Sequence, residues 1–423
     1  MEGRVAVVGG SMGGLAAAAA LAPVVDEVVV IERASDTAGS VAPQGMLPHV
    51  MCAAGSVVLE KLFPGFSQTL LDQGAATGGD DPARLPVYWH AAGIVRRHLA
   101  LIEPGFPRAL CGRRLIEPEL RRRVEALPNV TALRGVAATV DLDGDRLRGV
   151  HLKDGRLVDA DLVIDATGRG GSFRHALRLP EPPATEVVIE LRYVGFVVER
   201  RADDDEIGQL AVIQNTPSLP RIGVLLPLDR TRWHIALGGY FGGGAPTDPR
   251  GAMDFAATLA DPLLVRFLGR PFLEEPRRYT FRSSLRRHWE RSSTPGFVAT
   301  GDAVASFNPI YGQGMSSALL QAQALADEVG RRGIVPGIER RVAKRLAAVV
   351  NDPWTVAVGG DLLYPQAVGR RPAGHRWVSG YIERVMRASA ANEVVNAAWT
   401  DVQQLLASPG SLFRPGVMRH VLA

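Results

Sequence analysis

The chain has 423 residues, of which 46% are hydrophobic and 22% charged, a balance typical of a folded protein with two domains that share a core and not of a disordered chain. Its net charge of +4 comes from arginines spread among the acidic residues, so we expect no nucleic-acid binding. The two cysteines, Cys52 and Cys111, exclude a disulfide framework and a four-cysteine metal site, and no window approaches the roughly 18 uninterrupted apolar residues of a membrane span.

The first 33 residues have the pattern of a βαβ unit. A β-branched run at 4–8 ends at Gly9-x-Ser11-x-x-Gly14, an alanine-rich helix follows at 15–21, and a second strand at 28–31 ends at Glu32 and Arg33. Glycines at this spacing let the backbone approach a dinucleotide pyrophosphate, and the acidic residue accepts the ribose hydroxyls. Because Glu32 would repel a 2′-phosphate, the pattern predicts a dinucleotide without one. A turn of this shape without a ligand is the alternative.

The next part of the chain, up to residue 170, changes from helical to β patterns. Residues 50–62 have a helical pattern, and residues 85–89 predict a strand whose aromatic side chains either line a pocket or simply pack. From residue 130 onward Asp143-Gly144 and Asp154-Gly155 are strong hairpin signals. This meander ends in an apolar strand at 162–164 followed by Asp165-Ala166-Thr167-Gly168-Arg169-Gly170.

Residues 185–243 contain strand-like runs in series, at 186–198, 209–214, 223–226 and 233–237. Because turns but no helical patterns separate these runs, they predict an antiparallel sheet. Trp233 either lines a pocket on this sheet or anchors it, and we favour anchoring. A helical pattern follows at 252–268.

Residues 296–326 predict a strand, a loop and a helix. The strand is the run 296–300, the loop contains Pro309 and Gly312, and the helix begins near Gly314. Bare backbone in such a loop can approach a ligand closely, and a helix start carries unpaired N–H groups and partial positive charge. The physics alone also fits an ordinary strand–loop–helix turn. Beyond it, a helical pattern at 337–350 ends before Asn351-Asp352-Pro353-Trp354, a turn is expected at 359–362, and further helical patterns occur at 381–385 and 394–406.

The Gly301-Asp302 pair and the run Phe307-Asn308-Pro309-Ile310-Tyr311-Gly312-Gln313-Gly314-Met315 resemble the single-component FAD monooxygenases of the para-hydroxybenzoate hydroxylase fold. Within that family the pattern is most similar to the bacterial polyether-type (squalene-epoxidase-like) epoxidases. The resemblance implies an α/β fold with an FAD-binding Rossmann-like (GR2-type) domain and an inserted antiparallel-sheet substrate domain. The expected FAD-binding domain spans 1–180, with 291–345 returning to it. The substrate domain spans 181–290, and a helical C-terminal segment spans 346–423.

The resemblance also assigns roles to residues. It implies that Asp302 binds the ribityl chain of FAD, that Gly168 backs onto the pyrophosphate and that Arg113 reaches the same group, for which a guanidinium fork is suited. For Arg113 the alternative is an arginine on a solvated helix. The resemblance places the loop along the isoalloxazine ring, with the helix start near the ring edge that becomes negative on reduction. The predicted cofactor-binding residues are therefore Gly9, Ser11, Gly14, Glu32, Arg33, Arg113, Gly168, Asp302, Pro309, Gly312, Gly314 and Met315.

Two segments depart from the family pattern. Met46-Leu47-Pro48-His49 keeps only the last histidine of the Arg-His-x-His run that follows Pro-Gln-Gly in the relatives. His49 is therefore the one candidate acid–base residue near the flavin, with a structural or solvated histidine as the alternative. Arg169-Gly170 stands where many flavin hydroxylases have an Asp-Gly pair that bridges the FAD and NAD(P)H sites, so the resemblance supports FAD more strongly than the nicotinamide.

The predicted function is that of an FAD-dependent monooxygenase that uses NADPH or NADH and O2. The resemblance implies oxygen transfer from a C4a-hydroperoxyflavin to a small hydrophobic substrate, polyketide- or terpenoid-like, by epoxidation or hydroxylation. Epoxidation is favoured because an alkene needs no base, and the sequence places none beyond His49. The alternatives are an FAD-dependent reductase or dehydrogenase of the geranylgeranyl-reductase type and a flavoprotein that has lost catalysis. We expect a cytoplasmic protein in which both cysteines are buried thiols.

Overall fold

A computed structural model describes residues 3–33, 49, 51–101, 105–171, 173–174 and 181–423. Within these ranges the strands are β1 (Arg4–Val8), β2 (Glu27–Glu32), β3 (Ala76–Thr77), β4 (Arg84–Ala91), β5 (Ile94–Ala100), β6 (Ala109–Leu110), β7 (Val130–Arg134), β8 (Ala137–Asp143), β9 (Arg146–Leu152), β10 (Leu157–Asp159), β11 (Leu162–Asp165), β12 (Ala184–Glu199), β13 (Ala211–Ile213), β14 (Arg221–Pro227), β15 (Arg232–Tyr240), β16 (Arg277–Arg287), β17 (Phe297–Ala299) and β18 (Ala305–Ser306). The α-helices are α1 (Met12–Leu21), α2 (Ala53–Leu62), α3 (Phe66–Asp72), α4 (Arg113–Glu125), α5 (Pro249–Ala257), α6 (Val265–Leu268), α7 (Gly314–Arg332), α8 (Ile338–Asp361), α9 (His375–Ala388), α10 (Glu393–Gln403) and α11 (Pro415–Leu422).

A parallel five-stranded sheet in the order β17-β11-β1-β2-β7 forms the first layer. Its strands are short apolar runs, as expected for a sheet that is covered on both faces. Helix α1 lies on one face and packs against α7. Its alanines are almost completely buried, because such small side chains let a helix pack closely between a sheet and a second helix. The predicted βαβ unit is confirmed, and so is the predicted fold class.

An eight-stranded sheet in the order β18-β16-β12-β15-β14-β13-β4-β5 forms the second layer of the described chain. The segment expected as the substrate domain, 181–290, supplies β12 to β16, whereas β4, β5 and β18 come from residues outside it. Neighbouring strands are antiparallel except for β13 and β4, which are parallel. Strand β16 has no counterpart among the runs predicted above, because its arginine-rich sequence lacks an apolar alternation. The predicted helix at 252–268 is two short helices, α5 and α6.

Alternation along these strands gives the second sheet two different faces. One face contributes to a core with α5 and α6 that contains Ala211, Ile213, Leu225, Ile235 and Leu237. Trp233 belongs to this core and donates its indole N–H to Asp204 at 2.8 Å, which confirms that it anchors the sheet. The opposite face is open to a cavity, which Val212, Val224 and Ala236 line.

Helix α8 continues beyond the end expected near residue 350. It runs through Pro353 to Asp361, although a proline inside a helix has no N–H for the bond to the preceding turn. Pro353, Ala357 and Val358 are buried, so packing offsets the missing bond. The expected boundary between 345 and 346 therefore falls inside this helix.

The last helices form a small core of their own around Tyr381, Val385, Val395 and Leu412. Helix α10 covers strand β5 at the edge of the second sheet: Asn396 accepts from the Ala100 N–H at 3.1 Å and donates to the His98 carbonyl at 3.0 Å. No described helix is both long enough and apolar enough to span a membrane.

Candidate active site

A single cavity of about 3440 Å³ connects the carboxyl ends of the parallel strands to the open face of the second sheet. Of the thirteen predicted site residues, twelve line it: Gly9, Ser11, Glu32, Arg33, His49, Arg113, Gly168, Asp302, Pro309, Gly312, Gly314 and Met315. Gly14 is buried just behind the wall. The structure therefore brings together residues that are more than 300 positions apart in the chain.

The turn between β1 and α1 is tight and depends on two glycines. Gly9 has a φ of +109°, which favours glycine, and its N–H donates to the Ile31 carbonyl at 2.8 Å. A Cβ atom on Gly14 would lie 1.7 Å from the Gly9 carbonyl oxygen. Glu32 ends β2 beside this turn and accepts from the Gly10 N–H. The arrangement leaves bare backbone and a helix N-terminus at the cavity wall, which suits a pyrophosphate.

Arg113 lies in this wall as the first residue of α4 and is 8% exposed. It donates from Nε to Glu117 at 2.6 Å and from Nη2 to the Ser11 hydroxyl at 2.6 Å. The Ser11 hydroxyl also lies 2.9 Å from Glu117. Arg113 is therefore a buried, ordered cation that holds the fingerprint serine, and it is not a solvated helix arginine.

Asp302 lies in a short 3-10 turn that follows β17. The neighbouring Gly301 N–H donates to Gln321 at 2.9 Å, and a Cβ atom on Gly13 would lie 3.8 Å from the Gly301 Cα. Burial raises the pKa of the Asp302 carboxyl, while the positive charges of Arg113 and Arg169 lower it. The result is a half-buried carboxyl at the N-terminus of α1, able to accept hydrogen bonds from ligand hydroxyls.

Arg169, at the departure from the family pattern, connects the two sheets. The Asp165 carboxylate accepts from the Thr167 N–H at 2.9 Å, and the chain then turns at Gly168, whose φ is +82°. Arg169 donates to the Ser283 hydroxyl at 2.6 Å and to the Ser306 hydroxyl at 3.3 Å. Sequence reasoning recognised the substitution but had no signal for these partners, which lie on β16 and β18.

The loop between β18 and α7 forms the cavity wall where the two sheets meet. Gly312 has a φ of +66°, and the Ser316 hydroxyl accepts from the Cys52 N–H at 2.9 Å, which ties the start of α7 to α2. Two buried polar atoms in this wall, Thr300 Oγ1 and Gln313 Oε1, have no hydrogen-bond partner in the described chain. Buried polar atoms are nearly always paired, so these two fit a site that is completed by a polar ligand.

A polar cluster behind this loop was missed by sequence reasoning. Asp361, at the end of α8, is fully buried and accepts from Asn308 at 2.7 Å and from the Tyr311 hydroxyl at 3.3 Å. Asn308 also donates to the Tyr240 hydroxyl at 3.0 Å. No local pattern marks Asp361, because its partners Asn308, Tyr311 and Ser284 come from segments that are distant in the chain.

The wall of the cavity on the second sheet is apolar and contains Leu210, Val212, Val224, Leu226 and Ala236. Helices α8 to α10 also line the cavity, and there apolar side chains alternate with charged ones: the apolar ones are Trp354, Ile382, Met386 and Trp399, and the charged ones include Arg376, Glu383 and Arg387. Trp89 of the predicted strand at 85–89 also lines the cavity.

Of the first segment that departs from the family pattern, Met46-Leu47-Pro48-His49, the structure describes only His49. Residues 43–48 lie outside the described residues. His49 is half-buried in the cavity wall. The pKa of His234 is lowered to about 3, chiefly because His234 is buried and to a smaller extent because of the charge of His49. Both cysteines are buried and free, and burial raises the pKa of Cys52 to about 11, as expected for inert thiols.

Comparison with known proteins relates the N-terminal part of the chain to FAD-dependent oxidoreductases. Residues 4–176 match the family of FAD dependent oxidoreductases. Protein Rv3254 of Mycobacterium tuberculosis is 28% identical over 408 residues, which cover 87% of this chain and 83% of the relative.

Two solved structures have similar folds. A flavoprotein/dehydrogenase from Cytophaga hutchinsonii has a TM-score of 0.70 at 14% identity, with 100% of this chain and 96% of that chain covered. The pqsL protein of Pseudomonas aeruginosa, a probable FAD-dependent monooxygenase, has a TM-score of 0.61 at 17% identity, with 86% and 94% covered. Residues 4–176 are thus similar to FAD dependent oxidoreductases, and the whole chain shares its fold with these two structures.

Proposed function

We propose that this protein is an FAD-dependent monooxygenase that transfers one oxygen atom from O2 to a hydrophobic, polyketide- or terpenoid-like substrate, with NADPH or NADH as reductant. The observation that carries the proposal is the cavity, which joins a dinucleotide groove to a chamber whose wall on the second sheet is apolar. Its volume of about 3440 Å³ is several times the roughly 300–1,000 Å³ of a usual small-molecule pocket. It has room for a cofactor and a large apolar substrate together.

The residues of the groove fit FAD. The turn at Gly9 and Gly14, with Arg113 and Gly168 beside it, would hold the pyrophosphate, and Glu32 would bind the adenosine ribose. Asp302 would accept from the ribityl hydroxyls, and the loop from Pro309 to Met315 would lie along the ring, with Ser11 and Arg33 at the wall of the groove. Bound FAD supplies the redox chemistry, since its reduced form passes electrons to O2.

The protein's own contribution in the chamber is to exclude water and to position the substrate. Among the side chains that line the loop region are the phenols of Tyr193, Tyr311 and Tyr364, whose pKa values are raised chiefly by burial. Such phenols remain protonated and donate hydrogen bonds, so they are poor bases. Epoxidation of an alkene, which requires no base, is therefore favoured over hydroxylation of a phenol, with His49 the candidate base for the latter.

The proposal is tested by cofactor content and by coupled turnover. The purified protein should contain noncovalent FAD that acid releases. With a screen of polyketide and terpenoid alkenes, a true substrate should stimulate NADPH or NADH oxidation with matching O2 uptake, and the product should gain one oxygen atom. Purification with FMN would contradict the role given to Glu32, and reductant oxidation without product oxygenation for every substrate would contradict the monooxygenase.

A second candidate function is an FAD-dependent reductase or dehydrogenase of the geranylgeranyl-reductase type. This candidate is supported by the similarity in fold to the Cytophaga hutchinsonii flavoprotein/dehydrogenase. The two candidates separate under anaerobic conditions, because a reductase still converts its substrate while a monooxygenase does not.

A further inference from the structure

Asp361 is the most unusual carboxyl group beside the cavity. It is the last residue of α8 and fully buried. In the described part of the chain no arginine, lysine or histidine forms an ion pair with it, and its hydrogen bonds come from Asn308, Tyr311 and Ser284. A buried carboxylate without a cation is costly, so its retention here calls for a physical reason.

Each of these partners belongs to the loop at 308–312 or holds it. Asn308 caps the turn at 309–311, since its side-chain oxygen accepts from the Ile310 N–H at 3.3 Å. The backbone N–H of Asn308 donates to the Ser284 hydroxyl at 3.1 Å. The Tyr311 hydroxyl fits against Gly360, where a Cβ atom would lie only 2.1 Å away. The end of α8 is therefore shaped to receive the loop.

Protonation of Asp361 must rearrange these contacts. The ionised carboxylate can accept from all three donors at once: Asn308 and Tyr311 on Oδ1, and Ser284 on Oδ2. The neutral carboxyl carries a proton that needs an acceptor, so the hydroxyl of Tyr311 or of Ser284 must change from donor to acceptor toward Asp361. The remaining bonds to the loop also lose the strength that charge gives them.

We propose that Asp361 is a positioning residue whose protonation state determines how firmly the 308–312 loop is held in position against the flavin. The inference deepens the proposed function and rests on it, because it takes this loop as the wall of the FAD site. The ionised form holds the loop in the arrangement seen here, and the neutral form loosens it. FAD affinity then depends on pH through a residue that does not touch the cofactor.

The surroundings place this change near neutral pH. Burial raises the pKa of Asp361 to about 7, although the hydrogen bonds from Asn308, Tyr311 and Ser284 lower it. The titratable groups that face it are the phenols of Tyr240 on β15, Tyr311 in the loop and Tyr364 after α8, and burial raises the pKa of each. All three therefore stay neutral while Asp361 changes its charge.

The FAD-free protein offers a readout that does not depend on turnover. Burial raises the folded pKa of Asp361 above its ordinary value of 3.8, and the hydrogen bonds from Asn308, Tyr311 and Ser284 offset this only in part. The stability that the chain has below about pH 4, where the buried carboxyl is neutral, is therefore reduced as the pH rises through about 7, although the ionised form makes the stronger hydrogen bonds to the loop. The urea midpoint of the wild type, relative to that of Asp361→Asn, should therefore fall between pH 5 and pH 8.

The decisive experiment measures the Kd for FAD at pH 6 and pH 8 by titration of flavin fluorescence. The wild type should bind roughly five- to tenfold more tightly at pH 8, the difference between charged and neutral hydrogen bonds to the loop. Asp361→Asn should show no such change. Asp401→Asn removes another carboxyl of raised pKa, on α10 and away from the loop, and should retain the wild-type pH dependence.

Tyr311→Phe provides an independent test should Asp361→Asn fail to fold. Loss of one donor to the carboxylate should move the transition in FAD affinity to higher pH, and an unmoved transition would overturn the proposal. A pH dependence that is unchanged in Asp361→Asn would overturn it as well, while leaving the FAD site intact. Failure of the wild type to bind FAD at either pH would instead overturn the proposed function, and this inference with it.

Discussion

Two carboxyl groups near the same loop, Asp302 and Asp361, are surrounded by different charges. Burial raises the pKa of both carboxyls, and it is opposed at Asp302 by the positive charges of Arg113 and Arg169 but at Asp361 only by hydrogen bonds from neutral donors. Because positive charge favours the ionised form, the two arginines support Asp302 as an acceptor of hydrogen bonds from ligand hydroxyls. Asp361 is suited to change its charge near neutral pH.

Asp302→Ala should weaken FAD binding, because the ribityl hydroxyls lose a charged acceptor. Hydrogen bonds to a charged group contribute about 1.5–3 kcal/mol, so the Kd should rise roughly ten- to a hundredfold. Titration of the FAD-free protein with FAD measures this change, with Asp401→Asn as a carboxyl control that should bind like the wild type. If Asp302→Ala and the wild type bind FAD with equal affinity, Asp302 is not part of the cofactor site.

His49→Ala distinguishes the two modes of oxygen transfer. If the substrate is an alkene, the rate should change little, because epoxidation has no proton to remove. A loss of about 10²–10⁴-fold, accompanied by a changed pH profile, would instead indicate acid–base hydroxylation with His49 as the base. The measurement is kcat and kcat/KM against pH on the true substrate.

At the scale of elements, the junction of β1 and α1 depends on the missing side chain of Gly14. Gly14→Ala would bring a methyl group against the Gly9 carbonyl oxygen, where the Cβ position lies at 1.7 Å. We expect a loss of about 1–3 kcal/mol or more in the free energy of unfolding.

Gly13→Ala is the matched control for this junction. Its Cβ position meets its nearest neighbour at 3.8 Å, an ordinary contact, and alanine is favoured over glycine within a helix by up to about 1 kcal/mol. Urea unfolding of the FAD-free variants compares the two. Equal stability of Gly14→Ala and Gly13→Ala would contradict the close approach of the turn to the helix.

Helix α10 protects the edge of the second sheet through Asn396. Asn396→Ala should leave the Ala100 N–H and the His98 carbonyl unpaired, at a cost of about 1–3 kcal/mol in the free energy of unfolding. Hydrogen exchange at Ala100 should accelerate. Glu393→Gln, which weakens only the half-exposed contacts to Arg84 and His98, should have a much smaller effect. Unchanged exchange in Asn396→Ala would mean that α10 does not cover this edge.

At the scale of the whole molecule, two sheets enclose one cavity, and the sequence indicates this in part. The fingerprint at Gly9, the return strand at Gly168 and the Gly-Asp pair at Asp302 were recognisable, because each reflects a local requirement for bare backbone or a single acceptor. The residues that support these motifs were not recognisable. Arg169 depends on partners on β16 and β18, and Asp361 depends on a helix that continues through Pro353 where the local pattern indicates a break.

The origin of the oxygen atom in the product tests the central claim most directly. The protein is supplied with NADPH or NADH, its true substrate and heavy-oxygen-labelled O2 in ordinary water, and the product is weighed by mass spectrometry. Oxygen transfer at the flavin predicts one labelled atom per product molecule, and none when the label is in the water instead. A product that carries no label from O2, or that forms equally well without O2, would contradict the monooxygenase.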